Sequence, residues 1–197
     1  EYLQSLLPTD MDKDGDTDLL AARWTEGSAV VWYENNGSES FTMQTVSANH
    51  GYVQTAIPID LDQDGDMDVL IGATATAGNY ANTVTWAKNN GSQGFSIITI
   101  ATLTYSERVY PSDLDSDGDI DVLIATNANG LHWYENDGSE SFTARIIDSD
   151  YDENNWGPNI SALDIDGDGD VDVLYGSQGN DMIGWYENDG SESFTAN

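Results

Sequence analysis

Asp10-Met11-Asp12-Lys13-Asp14-Gly15-Asp16-Thr17-Asp18 places five aspartates at alternate positions around one glycine, and Leu19-Leu20-Ala21-Ala22 follows at once. The same nine-residue arrangement returns at residues 60–68, 113–121 and 164–172. First aspartates of successive copies lie 50, 53 and 51 residues apart. Each copy runs into an apolar stretch: Val69-Leu70-Ile71-Gly72, Val122-Leu123-Ile124-Ala125 and Val173-Leu174-Tyr175-Gly176. Self-similarity at a period near fifty residues marks a repeat architecture.

A second block recurs in step with the first. It reads Trp32-Tyr33-Glu34-Asn35-Asn36-Gly37-Ser38-Glu39-Ser40-Phe41-Thr42, returns almost unchanged at residues 133–143 and 185–195, and is degraded at residues 86–96. The apolar runs are short, rich in Val, Ile, Tyr, Trp and Thr, and bounded by Gly, Asn and Asp, so they read as strands. Asn36-Gly37, Asn90-Gly91, Asp137-Gly138 and Asp189-Gly190 signal tight hairpins. The first repeat then has strands at residues 2–7, 18–23, 29–34 and 41–46, with Pro8, Pro58 and Pro111 placed where first strands end. The expected fold is all-β. Four consecutive four-stranded β-propeller-type blades, near residues 1–47, 48–101, 102–149 and 150–197, form a single repeat domain over 1–197. Each blade has its Asp-rich loop between its first and second strands. Closure as a four-bladed ring, membership of a larger propeller, and assembly from subunits all remain open.

Alternate carboxylates on a tightly turned loop suit calcium, which takes six to eight oxygens at flexible angles. The expected ligands are Asp10, Asp12, Asp14, Asp16 and Asp18, with Asp60, Asp62, Asp64, Asp66, Asp68, then Asp113, Asp115, Asp117, Asp119, Asp121, and finally Asp164, Asp166, Asp168, Asp170, Asp172. Positions 1, 3, 5 and 9 would offer side chains and position 7 its backbone carbonyl, one Ca2+ per loop and about four in all. An EF-hand would need Glu at position 12 and flanking helices. Here that position is Ala21, Ile71, Ile124 or Tyr175, in a strand. Magnesium tolerates so many carboxylates poorly, and transition metals would want His or Cys, which the loops lack.

Composition excludes other classes. The formal charge is -31, and the loops hold 20 of 36 acidic residues, so the metal-free chain repels itself. With 39% hydrophobic residues, 10 Tyr and 6 Trp, it is too apolar for a disordered acidic tail. Five basic residues rule against nucleic acid and against an anionic membrane. The chain has no Cys and no apolar run long enough for membrane insertion. The start at Glu1 reads as processed or excised, and the loops suit a millimolar-calcium, extracellular setting, with the protein secreted or at the cell surface.

The loop followed by Val-Leu, repeated with a Trp-Tyr-Glu-Asn strand, resembles the VCBS/FG-GAP repeat family across essentially the whole chain. Those repeats are similar to the calcium-binding blades of integrin α-chain propellers. The resemblance implies calcium at the loop positions, an extracellular setting, and adhesion or ligand-binding roles. Family propellers usually close with about seven blades, so four leave room for a longer array or for self-association through open blade edges.

Recognition is expected where the repeats differ. The segments before each first strand contain Tyr52, Tyr105, Arg108, Tyr151 and Trp156, which suit a carbohydrate or protein ligand. Trp32, Trp86, Trp133 and Trp185 recur at one strand position and read as blade core. Glu34, Glu135 and Glu187, replaced by Lys88 in the second repeat, read as structural or solvated. His50 and His132 are unmatched between repeats, and no nucleophilic arrangement stands out, so no catalysis is expected. The function expected is a non-enzymatic calcium-binding adhesion or ligand-binding module. A structural subunit of a calcium-stabilised filament or surface layer, and an accessory domain of a secreted carbohydrate-active enzyme, are the alternatives.

Overall fold

The computed structural model describes residues 2–24, 29–48, 50–74, 82–103, 108–126, 130–149, 159–177 and 182–197, excluding the side chains of Tyr2, Trp24, Ser177 and Met182. By its internal contacts the chain divides into two compact units, Glu1–Leu103 and Thr104–Asn197. Among the described residues every regular element is a strand. No helix is long and apolar enough to cross a membrane.

In the first unit, β1 (Tyr2–Thr9), β2 (Asp18–Trp24), β3 (Val30–Asn35) and β4 (Phe41–Ser47) form one antiparallel sheet in sequence order. β5 (Tyr52–Ile59), β6 (Asp68–Thr74), β7 (Asn82–Asn89) and β8 (Phe95–Leu103) form a second. The second unit repeats this with β9 (Arg108–Ser112), β10 (Asp121–Thr126), β11 (Gly130–Asn136) and β12 (Phe142–Asp148), then β13 (Asn159–Leu163), β14 (Asp172–Ser177), β15 (Met182–Asn188) and β16 (Phe194–Ala196). Four four-stranded antiparallel sheets result, one per repeat, as the sequence predicts.

The β-branched and aromatic runs become strands because their pleated faces are buried. In the first unit Leu20, Val30 and Trp32 of one sheet pack with Val53, Val69 and Ile71 of the other. In the second unit Leu123, Leu131 and Trp133 pack with Val173 and Tyr186. Trp32, Trp86 and Trp133 are 1% exposed, the core role expected of them, while Trp185 is half-buried. Burial falls outward: β10 is buried throughout, whereas β4 and β12 are largely exposed.

Two local expectations are corrected. First strands run through their prolines, with Pro8 opposite Leu19, Pro58 opposite Val69 and Pro111 opposite Val122. These are edge strands, where one side of the ladder has no partner and a missing N–H is tolerated. The Asn-Gly and Asp-Gly pairs do not make two-residue turns. They begin five-residue loops closed by backbone bonds such as Asn36 N to Ser40 O, 3.1 Å.

Candidate metal centre

Numbering each Asp loop 1 to 9, position 9 is the buried anchor: Asp18, Asp68, Asp121 and Asp172 are all 0% exposed. One oxygen of Asp18 accepts from Met11 N at 2.9 Å, and the other from Asn35 N at 2.7 Å. The same pair of bonds reaches Asp68 from Leu61 and Asn89, Asp121 from Leu114 and Asn136, and Asp172 from Ile165 and Asn188. Trp86 Nε1 adds a third bond to Asp68, at 2.9 Å. Position 9 therefore ties the entry of its loop to the end of the third strand.

The rest of the loop is wound by its own side chains. Position 1 accepts from the glycine at position 6, as in Gly15 N to Asp10 Oδ2 at 3.2 Å. Position 3 accepts from position 5, and position 5 from position 7, where Asp16 N reaches Asp14 Oδ1 at 2.8 Å. These are Asx turns, side chains standing in for backbone acceptors two residues on. Position 4 is left-handed even where it is not glycine: Lys13, Gln63 and Ser116 have φ of 61°, 56° and 63°. Sequence reading missed this demand, although Gly167 at the same place in the fourth loop is its signal.

This winding brings the carboxylates of positions 1, 3 and 9 together. Oxygens of Asp10, Asp12 and Asp18 lie within 4.8 Å of one another, as do those of Asp60, Asp62 and Asp68, of Asp113, Asp115 and Asp121, and of Asp164, Asp166 and Asp172. Position 5 (Asp14, Asp64, Asp117, Asp168) stands outside these groups of three and caps position 7 instead. The position 7 carboxylates of Asp16, Asp66, Asp119 and Asp170 lie against Gly37, Gly91, Gly138 and Gly190 of the hairpin, where any Cβ would collide with them. The asparagine before that turn completes the join. Asn35 Nδ2 donates to Thr17 O and Asn35 Oδ1 accepts from Gly37 N, a pair of bonds found in all four repeats.

Oxygens gathered this way repel one another unless a proton or a cation meets them. Burial pushes the Asp68 carboxyl up to about 6 and that of Asp121 to about 7, against hydrogen bonds that oppose the rise. Partial desolvation also raises Asp12, Asp115 and the exposed Asp166, with neighbouring carboxylates adding to the effect. One oxygen each of Asp10, Asp60 and Asp113 is buried and accepts no hydrogen bond. A buried carboxylate oxygen without a donor is costly unless an ion meets it. The donor set, all oxygen with no His or Cys, fits a hard divalent cation.

The ligand candidates lie elsewhere. Tyr52 and Arg108 are not in connections; they are the half-buried first residues of β5 and β9. In β5 that is the end opposite the metal loop, about 25 Å away at the usual strand rise. Tyr105, Tyr151 and Trp156 fall outside the described residues. His50 is buried with Nε2 2.8 Å from Ser47 Oγ, and burial lowers its pKa.

No curated protein sequence matches the chain. The FG-GAP-like repeat pattern matches residues 10–71 and 113–175, each span running from the first aspartate of one loop to the second strand of the next repeat. The matched residues make up more than half of the sequence and include every loop in whole, and the chain belongs to the FG-GAP-like repeat family.

Proposed function

We propose that this protein is a calcium-stabilised, non-enzymatic extracellular module for adhesion or ligand binding. The observation that carries the calcium reading is the buried, donor-less oxygen of Asp10, Asp60 and Asp113 beside two further converging carboxylates. Asp10, Asp12 and Asp18 and their counterparts would hold the ion, which supplies positive charge where the fold has collected negative charge. The chain's own residues do the rest. Position 9 fixes the hairpin to the loop, the glycine amide at position 6 holds position 1, and an Asx turn holds position 3, bringing both beside it.

An extracellular place agrees with sites that load at millimolar calcium and with the family's usual setting. The scaffold role leaves recognition to the opposite blade ends, where Tyr52 and Arg108 begin their strands. Aromatic, amide and guanidinium groups there suit a carbohydrate or protein partner. The buried Ser47–His50 pair reads as a lock on the β4–β5 connection.

At about 1 mM calcium and dissociation constants of about 10–100 µM, each ion contributes roughly 1.5–3 kcal/mol. Isothermal titration should find calcium binding with magnesium far weaker, and EDTA should lower the melting temperature by more than about 10 °C. Superimposable melting curves in EDTA and in calcium would sink the reading.

A further inference from the structure

The chain has two lysines, Lys13 and Lys88, and both end on carboxylates of the second loop. Lys88 Nζ lies 2.5 Å from Asp62 Oδ2, one of the three converging aspartates of that loop, and 5.3 Å from the centre of the Trp86 ring. The two partners are 26% and 16% exposed, so water screens this pair less than a surface pair. Lys13 Nζ lies 2.9 Å from Asp66 Oδ1, at position 7 of the same loop.

Lys88 occupies a site that is acidic in every other repeat. It pairs with Ser96 across the sheet, as Glu34 pairs with Thr42, Glu135 with Thr143 and Glu187 with Thr195. Those glutamates face position 3 of their own loops. Desolvation and the neighbouring loop carboxylates raise Asp12, Asp115 and Asp166 most, and the charge of these glutamates adds a smaller push in the same direction. Arg145 lies near the third loop, but its guanidinium bonds Glu135 at 2.6 Å. In the second repeat the third strand turns a positive group onto a converging aspartate, where the matching residue of the other three is a glutamate.

We propose that the second loop is a self-neutralised calcium site. The Lys88 ammonium holds Asp62 in place when calcium is absent and must be displaced for an ion to bind, so this loop loads after the first and third. The inference rests on the reading of the loops as calcium sites. A like charge this close weakens cation binding by more than about tenfold.

Each loop carries its own reporter. Gly15, Gly65, Gly118 and Gly169 amides donate to position 1 of their loops, at 3.2, 3.0, 3.1 and 3.1 Å. Calcium chloride titrated into the whole chain, with these amides followed by NMR, resolves the sites. The expected result is a Gly65 midpoint more than about tenfold above those of Gly15 and Gly118. In Lys88→Glu it falls to join them, and in Lys88→Met it falls part of the way. In EDTA, Lys88→Glu melts below the parent, and excess calcium closes the gap. A parent Gly65 midpoint equal to the others, or one that neither substitution moves, overturns the proposal while leaving the calcium reading intact. If none of the four amides responds, the calcium reading fails and the proposal falls with it.

Discussion

The third and fourth loops belong to one unit, share one pattern and differ in backbone demand at position 4, their other two differences being the apolar exchanges Leu114 for Ile165 and Ile120 for Val171. At position 4 the third loop has Ser116 at φ 63°, a left-handed conformation that costs a residue with a Cβ. The fourth has Gly167 at φ 84°, where the conformation is free. Gly167 N donates to Asp164 Oδ1 at 2.7 Å, while the matching oxygen of Asp113 is buried with no donor. Asp164 and Asp166 are also exposed, where Asp113 and Asp115 are half-buried. The third loop is thus strained, with a buried oxygen left unsatisfied, whereas the fourth satisfies that oxygen itself and is more open to solvent. A shared motif shows which atoms can converge; strain and burial decide how much the ion matters.

The largest test of this contrast removes the anchors. Asp121→Ala deprives the Leu114 and Asn136 amides of their acceptor, and Asp172→Ala does the same to those of Ile165 and Asn188. Two buried donors left unpaired cost roughly 2–5 kcal/mol. Ile165 is 38% exposed where Leu114 is 1%, so water can rescue its amide, and the fourth-loop variant should lose about 1 kcal/mol less. Urea unfolding in saturating calcium measures both, and equal losses would erase the distinction.

Proton binding gives a second, smaller test. Asp121 titrates at about 7 folded against 3.8 unfolded, because burial penalises its charge. Between these values the folded state holds a proton that the unfolded chain has released. The contribution is complete below about pH 4 and is lost as pH rises through 7. Asp68, at about 6, acts in the same direction. Melting temperature in EDTA should therefore fall from pH 5 to pH 8, and calcium should flatten the fall by favouring the ionised carboxylates. A metal-free protein that gains stability over this range would contradict the assignment.

The smallest effect comes from exchanging the divergent residue. Ser116→Gly removes the left-handed strain and lets the amide approach Asp113, as Gly167 approaches Asp164. Metal-free stability should rise by about 0.5–1 kcal/mol, and the third loop's calcium midpoint, read at the Gly118 amide, should rise a few-fold. An unchanged midpoint would mean that the donor-less oxygen does not govern affinity.

Much of this was legible in the sequence because it recurs. The strands fell within one or two residues of expectation in the first repeat, since hydrophobic runs and turn residues agree there, and Trp32, Trp86 and Trp133 entered the core. The aspartate pattern named the converging residues, but it could not show that position 5 would cap position 7, which depends on loop winding. Asn35, Asn89, Asn136 and Asn188 were visible in four copies, yet their task is long-range: each bonds a residue at least sixteen positions earlier in its repeat. Lys88 looked like repeat decay; only the strand register puts its ammonium on Asp62.

The hairpin bears on how the molecule ages. Asn-Gly pairs are where chains most readily lose side-chain amides, through attack by the following backbone nitrogen, and Asn is among the thermolabile residues. Asn36-Gly37 and Asn90-Gly91 are two such pairs. In both, the glycine nitrogen is already committed to the preceding asparagine, Asn35 or Asn89, at 3.2 Å. Asn36 and Asn90 spend their own side-chain oxygens on Ser38 and Ser92. The third and fourth repeats carry Asp137 and Asp189 in the same turn, holding Ser139 and Ser191 by the same bond. Direct hydrolysis of either amide to aspartate would thus yield a turn that the molecule already builds twice, whereas cyclisation, which opens largely to isoaspartate and lengthens the backbone, first requires the glycine nitrogen to leave Asn35 or Asn89.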